Sequence, residues 1–419
     1  MCPLLRRLIG AFALLACGSA TLFAQSAGSA EQVLYTFTFT NQSGGAYPSA
    51  VIFDGEGNLY GVTASGGTDV TGTVFELTPI SGGWSETILY NFGPFGSSDG
   101  DQPVGALIFD AAGNLYGTTY YGGGSANCTF GCGTVFELTP GTGGWTETVL
   151  HRFVGTDGEN PCAQLAFDAA GNLYGTTRLG GAYGSGTVFE LSPVSGGQWT
   201  ETLVHSFGSS STDGSDPVHG GVAIDAAGNL YGTTFYGGQN SVGQVFKLTF
   251  ARGEWRKSIL HSFARGVGIG AYPEAGVTID GSGNVYGTVT QGGAAGTGGG
   301  VFELKPAAGG RYTYSILHSF RGASDGDFPS TAVVLDESGN LYGATNEGGT
   351  GGYGTVYKLT PTAKGPWKEV ILHSFAGGND GINPNTTPLL LDAAGNIYGS
   401  TNAGGDGGAG AGVIFEVSP

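Results

Sequence analysis

One pentapeptide, Gly-Asn-Leu-Tyr-Gly or a close variant, recurs along the chain with its Asn at 58, 114, 172, 229, 284, 340 and 396. The spacings are 56, 58, 57, 55, 56 and 56 residues, and Val285 and Ile397 replace the Leu in two copies. Seven copies at near-constant spacing make this a tandem array. In such an array each unit is a small supersecondary element that must stack on its neighbours to bury its apolar faces.

Each unit contains four strand-like runs. In the third unit these are Gln164 to Asp168, Asn172 to Thr177, Gly186 to Pro193 and Trp199 to Phe207. Alternation and β-branched or aromatic content mark all four as strands. No segment has a helical period bounded by caps. The turn between the first two runs reads Asp-x-x-Gly-Asn, with Asp54, Asp110, Asp168, Asp225, Asp280, Asp336 and Asp392 in the leading place. An Asp there can accept hydrogen bonds from turn amides, and the Gly supplies the positive φ of a tight hairpin. These aspartates therefore read as turn formers rather than catalysts.

Four antiparallel strands repeated radially make a propeller blade, and the ends of the chain indicate how the ring closes. The segment Val33 to Phe39 matches a fourth strand, such as that ending at Phe92, while the last unit stops after a third strand, Gly412 to Pro419. The expected fold is an all-β, seven-bladed propeller with four antiparallel strands per blade, closed by the N-terminal strand pairing with the C-terminal three. Residues 33–419 form this single domain, residues 25–32 a short linker and residues 1–24 a signal peptide.

The targeting segment rests on Arg6 and Arg7 followed by an apolar stretch from Leu8 to about Ala24, too short for a good membrane span. Two processing routes fit: cleavage after Ala24, or lipidation of Cys17 within the lipobox-like Leu14-Leu15-Ala16-Cys17. Either places the mature protein outside the cytoplasm, secreted, periplasmic or at the cell surface. The chain carries 33 Asp and Glu against 15 Lys and Arg, a net charge of −18. That balance repels phosphate backbones and argues against nucleic acid as a partner. In an oxidising compartment Cys128 and Cys132, four residues apart, are candidates for a small disulfide. Cys162 could compete for either of them, so the pairing stays open.

The full unit runs Leu-His-Ser-Phe, Asp-Gly-x-x-Pro, Asp-x-x-Gly-Asn-Leu-Tyr-Gly-Thr-Thr, Gly-Gly and Gly-Thr-Val-Phe-Glu-Leu-x-Pro. From about residue 33 to 419 it resembles the GloVer-type tandem repeat of bacterial "choice-of-anchor" surface and secreted proteins. The resemblance implies a repeat propeller and brings no established activity with it. Anchored members of that family carry C-terminal anchors. This chain stops at Pro419, so free secretion, or Cys17 as the anchor, is expected.

Strand order sorts the loops onto two faces. The Asp-x-x-Gly-Asn turns and the third-to-fourth turns share one, the turn face. The second-to-third and fourth-to-first loops share the other, the loop face, and are longer and more varied. Binding residues concentrate on variable loops held by a rigid scaffold. Asp99, Asp157, Asp213, Asp325 and Asp380, each in an Asp-Gly pair on that face, are expected near the channel mouth as an acidic set that could take a cation or a sugar. The fifth loop has Arg265 instead. Five of six histidines (His151, His205, His261, His318 and His373) fill one slot in the fourth strand, shared with Tyr35 and Tyr90, and read as architecture. His219 alone stands apart, close to Asp213 and Asp216 in sequence.

No Gly-x-Ser-x-Gly elbow, His-Glu-x-x-His or phosphate loop occurs. The expected function is an extracellular binding or interaction module for a glycan or surface protein. It is expected to be a monomer with no cofactor beyond a divalent cation. The alternative is a secreted carbohydrate- or lactone-active lyase or hydrolase using Asp213, Asp216 and His219 at the channel mouth.

Overall fold

A computed structural model describes residues 31–38, 44–217, 220–266, 269–293, 298–363, 365–384, 387–406 and 410–418. Seven antiparallel blades form a closed β-propeller. No α-helix occurs among the described residues, and none is long and apolar enough to cross a membrane. Blade 1 shows the plan: Gly45–Phe53 inside, then Leu59–Gly66, Thr73–Ile80 and the outer strand Gly83–Asn91. Blade 7 is completed by the N-terminal strand Glu31–Thr36, which pairs antiparallel with Val413–Val417. The ring is closed as the two chain ends indicate.

One expectation is corrected. The inner strand of most blades is not a single run. In blade 3 it is Glu159–Pro161 followed, after a break, by Ala166–Phe167. An X-Pro pair recurs at this place in every blade, and its first residue is left-handed: Tyr47, Gln102, Asn160, Asp216, Tyr272, Phe328 and Asn383, with φ between 52 and 59°. Such a φ is rare for non-glycine residues. Proline then removes the next ladder donor.

The same proline docks one blade on another. Gly72, Gly133, Gly186, Gly243, Gly299, Gly354 and Gly412 open the third strands, and a Cβ at any of them would lie 2.5–2.7 Å from the Pro Cδ of the following blade. Only glycine, at these positive φ values, leaves room for that ring. Each of these glycine carbonyls also accepts the amide N–H of the phenylalanine ending an outer strand, as Phe153 N to Gly133 O at 3.1 Å. Those phenylalanines are buried and meet the third-strand aromatic of the next blade. The pairs are Phe37–Phe75, Phe92–Phe136, Phe153–Phe189, Phe207–Phe246, Phe263–Phe302, Phe320–Tyr357 and Phe375–Phe415, with centroids 5.0–5.3 Å apart.

The Asp-x-x-Gly-Asn turns behave as their spacing indicates. Asp110 Oδ1 accepts the Ala112 and Asn114 amides at 2.8 and 2.9 Å, and Oδ2 accepts the Asn114 side chain and the Tyr116 hydroxyl. Burial alone would raise its pKa, but these hydrogen bonds outweigh burial and hold it below the ordinary value.

Closure by the N-terminal strand predicts that Phe37 matters as much as an internal equivalent. Phe37→Ala and Phe153→Ala should each cost about 3–5 kcal/mol, read as urea midpoints at constant slope. A loss under about 1 kcal/mol for Phe37→Ala alone, the range of a surface substitution, would show that the N-terminal strand does not hold the ring shut.

Candidate functional site

The acidic set on the loop face is not at the channel mouth. Each of its aspartates turns outward to the outer-strand slot that ends its own blade. Tyr90 donates to Asp99 Oδ2 at 2.8 Å. His151 Nε2 lies 3.0 Å from Asp157, His205 3.1 Å from Asp213, His318 3.3 Å from Asp325 and His373 2.9 Å from Asp380. The sequence separates these histidines and aspartates into architecture and candidate site, and the structure joins them. The hairpin register places the His or Tyr at the strand end, where the Asp-Gly turn folds back onto it.

A third group enters from the outer strand of the next blade, always four residues before that blade's own His or Tyr. It is Glu86 beside Tyr35, Glu147 near Asp99, Glu201 near His151 and Asp157, Lys257 on Asp213, Tyr314 on His261, Glu369 on His318 and Glu31 near His373 and Asp380. Burial raises Glu31 and Glu147 to about 7, assisted by Asp380 and Asp99 respectively. At Asp213 burial is outweighed by His205, Lys257 and Ser209, which hold the carboxyl far below its ordinary range. His261 has no aspartate. It stacks on Tyr314 at 4.0 Å, and burial lowers its pKa to about 4.

Asp213 and Asp216 are therefore committed to different partners. Asp216 Oδ1 accepts from Arg178 Nε at 3.0 Å, and Arg178 Nη1 donates to the Tyr120 hydroxyl at 3.1 Å. Burial raises the pKa of Asp216, against the pull of Arg178. His219, like Cys17 and residues 1–24, lies outside the described residues. Cys128 and Cys132 form a disulfide, and Cys162 is buried with its thiol outside that bond.

The central channel holds a cavity of about 470 Å³ bordered by inner-strand residues such as Leu165, Val222, Val277, Val333 and Leu335. Its described lining contains no titratable side chain. The loop face differs. Among the described residues, six of the seven exposed Phe and Tyr side chains lie there: Tyr47, Phe95, Phe130, Tyr183, Tyr236 and Tyr353. At blades 4 and 5 an open pocket of about 310 Å³ is lined by Phe235, Tyr236, Arg265, Tyr272 and Gln291. Phe235 and Tyr236 lie 5.1 and 6.0 Å from the Tyr272 ring. Arg265 Nη2 donates to the Tyr272 hydroxyl, with its guanidinium carbon 5.4 Å from the ring centroid. Sequence reasoning isolates Arg265 but misses its neighbours. For Tyr272 the signal is the slot before the repeat proline, which varies from unit to unit while the proline does not.

The architecture defines a closed, tandem-repeat β-propeller with a uniform frame and a varied loop face. Its sequence matches the Gloeobacter/Verrucomicrobia repeat over residues 16–145, 121–299 and 278–419, and the chain belongs to that family. No curated protein sequence matches it. Among solved structures it is similar to a protein of unknown function from Dyadobacter fermentans, at 14% identity over 92% of this chain and 98% of that one, with a TM-score of 0.45. It is also similar to a puromycin hydrolase mutant complexed with PGG, at 11% identity over 87% of this chain and 51% of that one, with a TM-score of 0.55. The chain thus spans about half the hydrolase, and this likeness concerns the fold alone.

The depressed His261 makes acid stability testable. Its folded pKa of about 4 is below the ordinary 6.5, so the native state resists protonation. Its contribution is complete above about pH 6.5 and is lost as the pH falls from there towards about 4. His261→Phe keeps a ring against Tyr314 and cannot titrate. It should lose less stability than the parent between pH 7 and 4.5 in urea titrations. Equal losses would assign the acid sensitivity elsewhere.

Proposed function

We propose that the protein is an exported, non-catalytic binding module that takes an extracellular glycan on its loop face. The observation that carries this reading is the open pocket on that face, where Phe235, Tyr236 and Tyr272 stand beside Arg265 and Gln291, on a face that also exposes further aromatic rings at other blades. Sugars present apolar C–H faces and a rim of hydroxyls. Aromatic planes take the first, and planar donors and acceptors such as guanidinium and amide take the second. An open pocket suits one or two residues of a larger chain.

Export is supported by the charged-then-apolar segment before Gln25 and by the small disulfide, which belongs to oxidising compartments. A binding role also fits what the repeat does with its acids. Asp157, Asp213, Asp325 and Asp380 are engaged by neighbouring histidines, and Asp216 by Arg178.

A glycan array with the full chain should identify a saccharide, and titration should then give its affinity. Tyr236→Ala and Arg265→Ala should each weaken binding at least about tenfold, equivalent to about 1.4 kcal/mol. Phe250→Ala, exposed on the turn face, should leave it unchanged. Saccharide binding indifferent to Tyr236 and Arg265, or no saccharide binding at all, would overturn this assignment.

A further inference from the structure

We propose that two blade junctions, 5–6 and 6–7, are zinc-class metal sites, each built from one histidine and two carboxylates. The first consists of His318, Asp325 and Glu369, the second of His373, Asp380 and Glu31. In each, one ligand atom per residue falls within 4.8 Å of the other two. The three groups come from the outer strand of one blade, the turn that follows it and the outer strand of the next blade. A metal there would tie two blades together at their outer edge.

Hydrogen bonding alone leaves the first site unsatisfied. His318 Nε2 stands 3.3 Å from Asp325 Oδ1 and 3.2 Å from Glu369 Oε1. A ring nitrogen carries one proton or one lone pair, so it cannot serve two carboxylates fully. Glu369 Oε1 is buried and makes no well-directed hydrogen bond. A cation between the three would engage the nitrogen lone pair and both carboxylates at once. The spacing suits it: two ligands about 2.1 Å from a tetrahedral zinc stand about 3.4 Å apart.

An independent observation comes from junction 3–4, which has the same histidine and aspartate but Lys257 in the glutamate position. There Lys257 Nζ lies 2.7 Å from Asp213 Oδ1, and His205 Nε2 lies 3.1 Å from the same oxygen. The repeat thus places a cation of its own beside the His-Asp pair where the third residue is basic. At Glu369 and Glu31 the third residue is a carboxylate whose oxygen falls within ligand distance of the pair, whereas Glu201, in the same place near His151 and Asp157, is not in such a converging group among the described residues. Three protein ligands of nitrogen and oxygen type with an open fourth position match zinc-class ions. Calcium asks for six to eight oxygens.

The full chain, stripped with chelator and dialysed, should bind two zinc ions in a calorimetric titration and gain thermal stability with them. Glu369→Gln and Asp380→Asn should each reduce the stoichiometry from two to one. Glu369→Lys copies the junction that carries its own cation. It should also lose one ion, yet remain as heat-stable without zinc as the unsubstituted apoprotein, which separates lost binding from lost folding. X-ray absorption of the zinc form of Asp380→Asn should report one imidazole in an otherwise oxygen shell. No zinc binding below about 1 mM, stoichiometry unchanged by these variants, or calcium bound in preference to zinc would each overturn the proposal.

Discussion

The aromatic contact between one blade's outer strand and the next blade's third strand recurs at all seven junctions with nearly the same separation. A blade is apolar on both faces, so alone it would expose its core. The contact depends on two glycines. One opens the third strand and admits the proline of the following blade. The other, Gly117 in blade 2, lies under Phe136, where a Cβ would stand 2.6 Å from the ring tip. The high glycine content, 83 of 419 residues, is thus tied to close approach between blades as well as to turns. Edge-to-face rings in such joints add about 0.5–1.5 kcal/mol beyond their burial, and the ring of blades repeats that gain until it closes.

Closure explains why the first described strand, Glu31–Thr36, is the fourth strand of a blade. If blade 7 were built wholly from consecutive sequence, blades 7 and 1 would meet through side chains and isolated backbone bonds such as Tyr47 N to Ala411 O at 2.7 Å. Strand exchange makes their neighbourhood a backbone ladder, from Glu31 opposite Val417 to Thr36 opposite Val413. The Phe37 amide then donates to Gly412 O at 2.9 Å, repeating at the seam the bond made at the other junctions. The seam therefore uses the same joint as the rest of the ring.

The frame was legible in the sequence because it is repeated. The pentapeptide spacing, the displaced N-terminal strand and the Asp-turns could all be read without knowing any long-range contact. The break in the inner strand was harder. Nothing in Gln102-Pro103 or Asn160-Pro161 announces a positive φ, since a residue before proline is ordinarily extended. The backbone accepts it because the amide of that residue finds a carbonyl on the preceding blade, as Asn160 N to Cys132 O at 2.9 Å. The pairing of His151 with Asp157 was hidden for another reason. It depends on which side of the outer strand the turn folds back onto, and strand alternation does not say. Taken separately, a repeated histidine looked structural and a repeated aspartate looked like a rim. Together they form a junction that Glu201, about fifty residues further along the chain, approaches from the next blade.

The junctions also show how a repeat protein diversifies without losing its ring. The Phe, Gly and Pro of the joint are shared by all seven units, apart from Tyr357 in one aromatic place. The outer group that covers the joint is not shared. Tyr35 donates to Glu86, Tyr90 to Asp99, Lys257 neutralises Asp213, and Tyr314 replaces charge with a stacked ring on His261. Each is a different answer to one electrostatic problem, a carboxylate or imidazole taken partly out of water at a blade edge. Burying such a group unpaired costs several kcal/mol, so every answer must supply a donor, a counter-charge or an apolar neighbour. The rim slot before proline varies under the opposite condition. Its backbone is fixed by the neighbouring blade while its side chain faces the loops, so Tyr, Gln, Asn, Asp or Phe can stand there without disturbing a joint. Variation is confined by chemistry at the outer edge and open at the loop face, and the pocket around Arg265 and Tyr272 lies where that freedom is greatest.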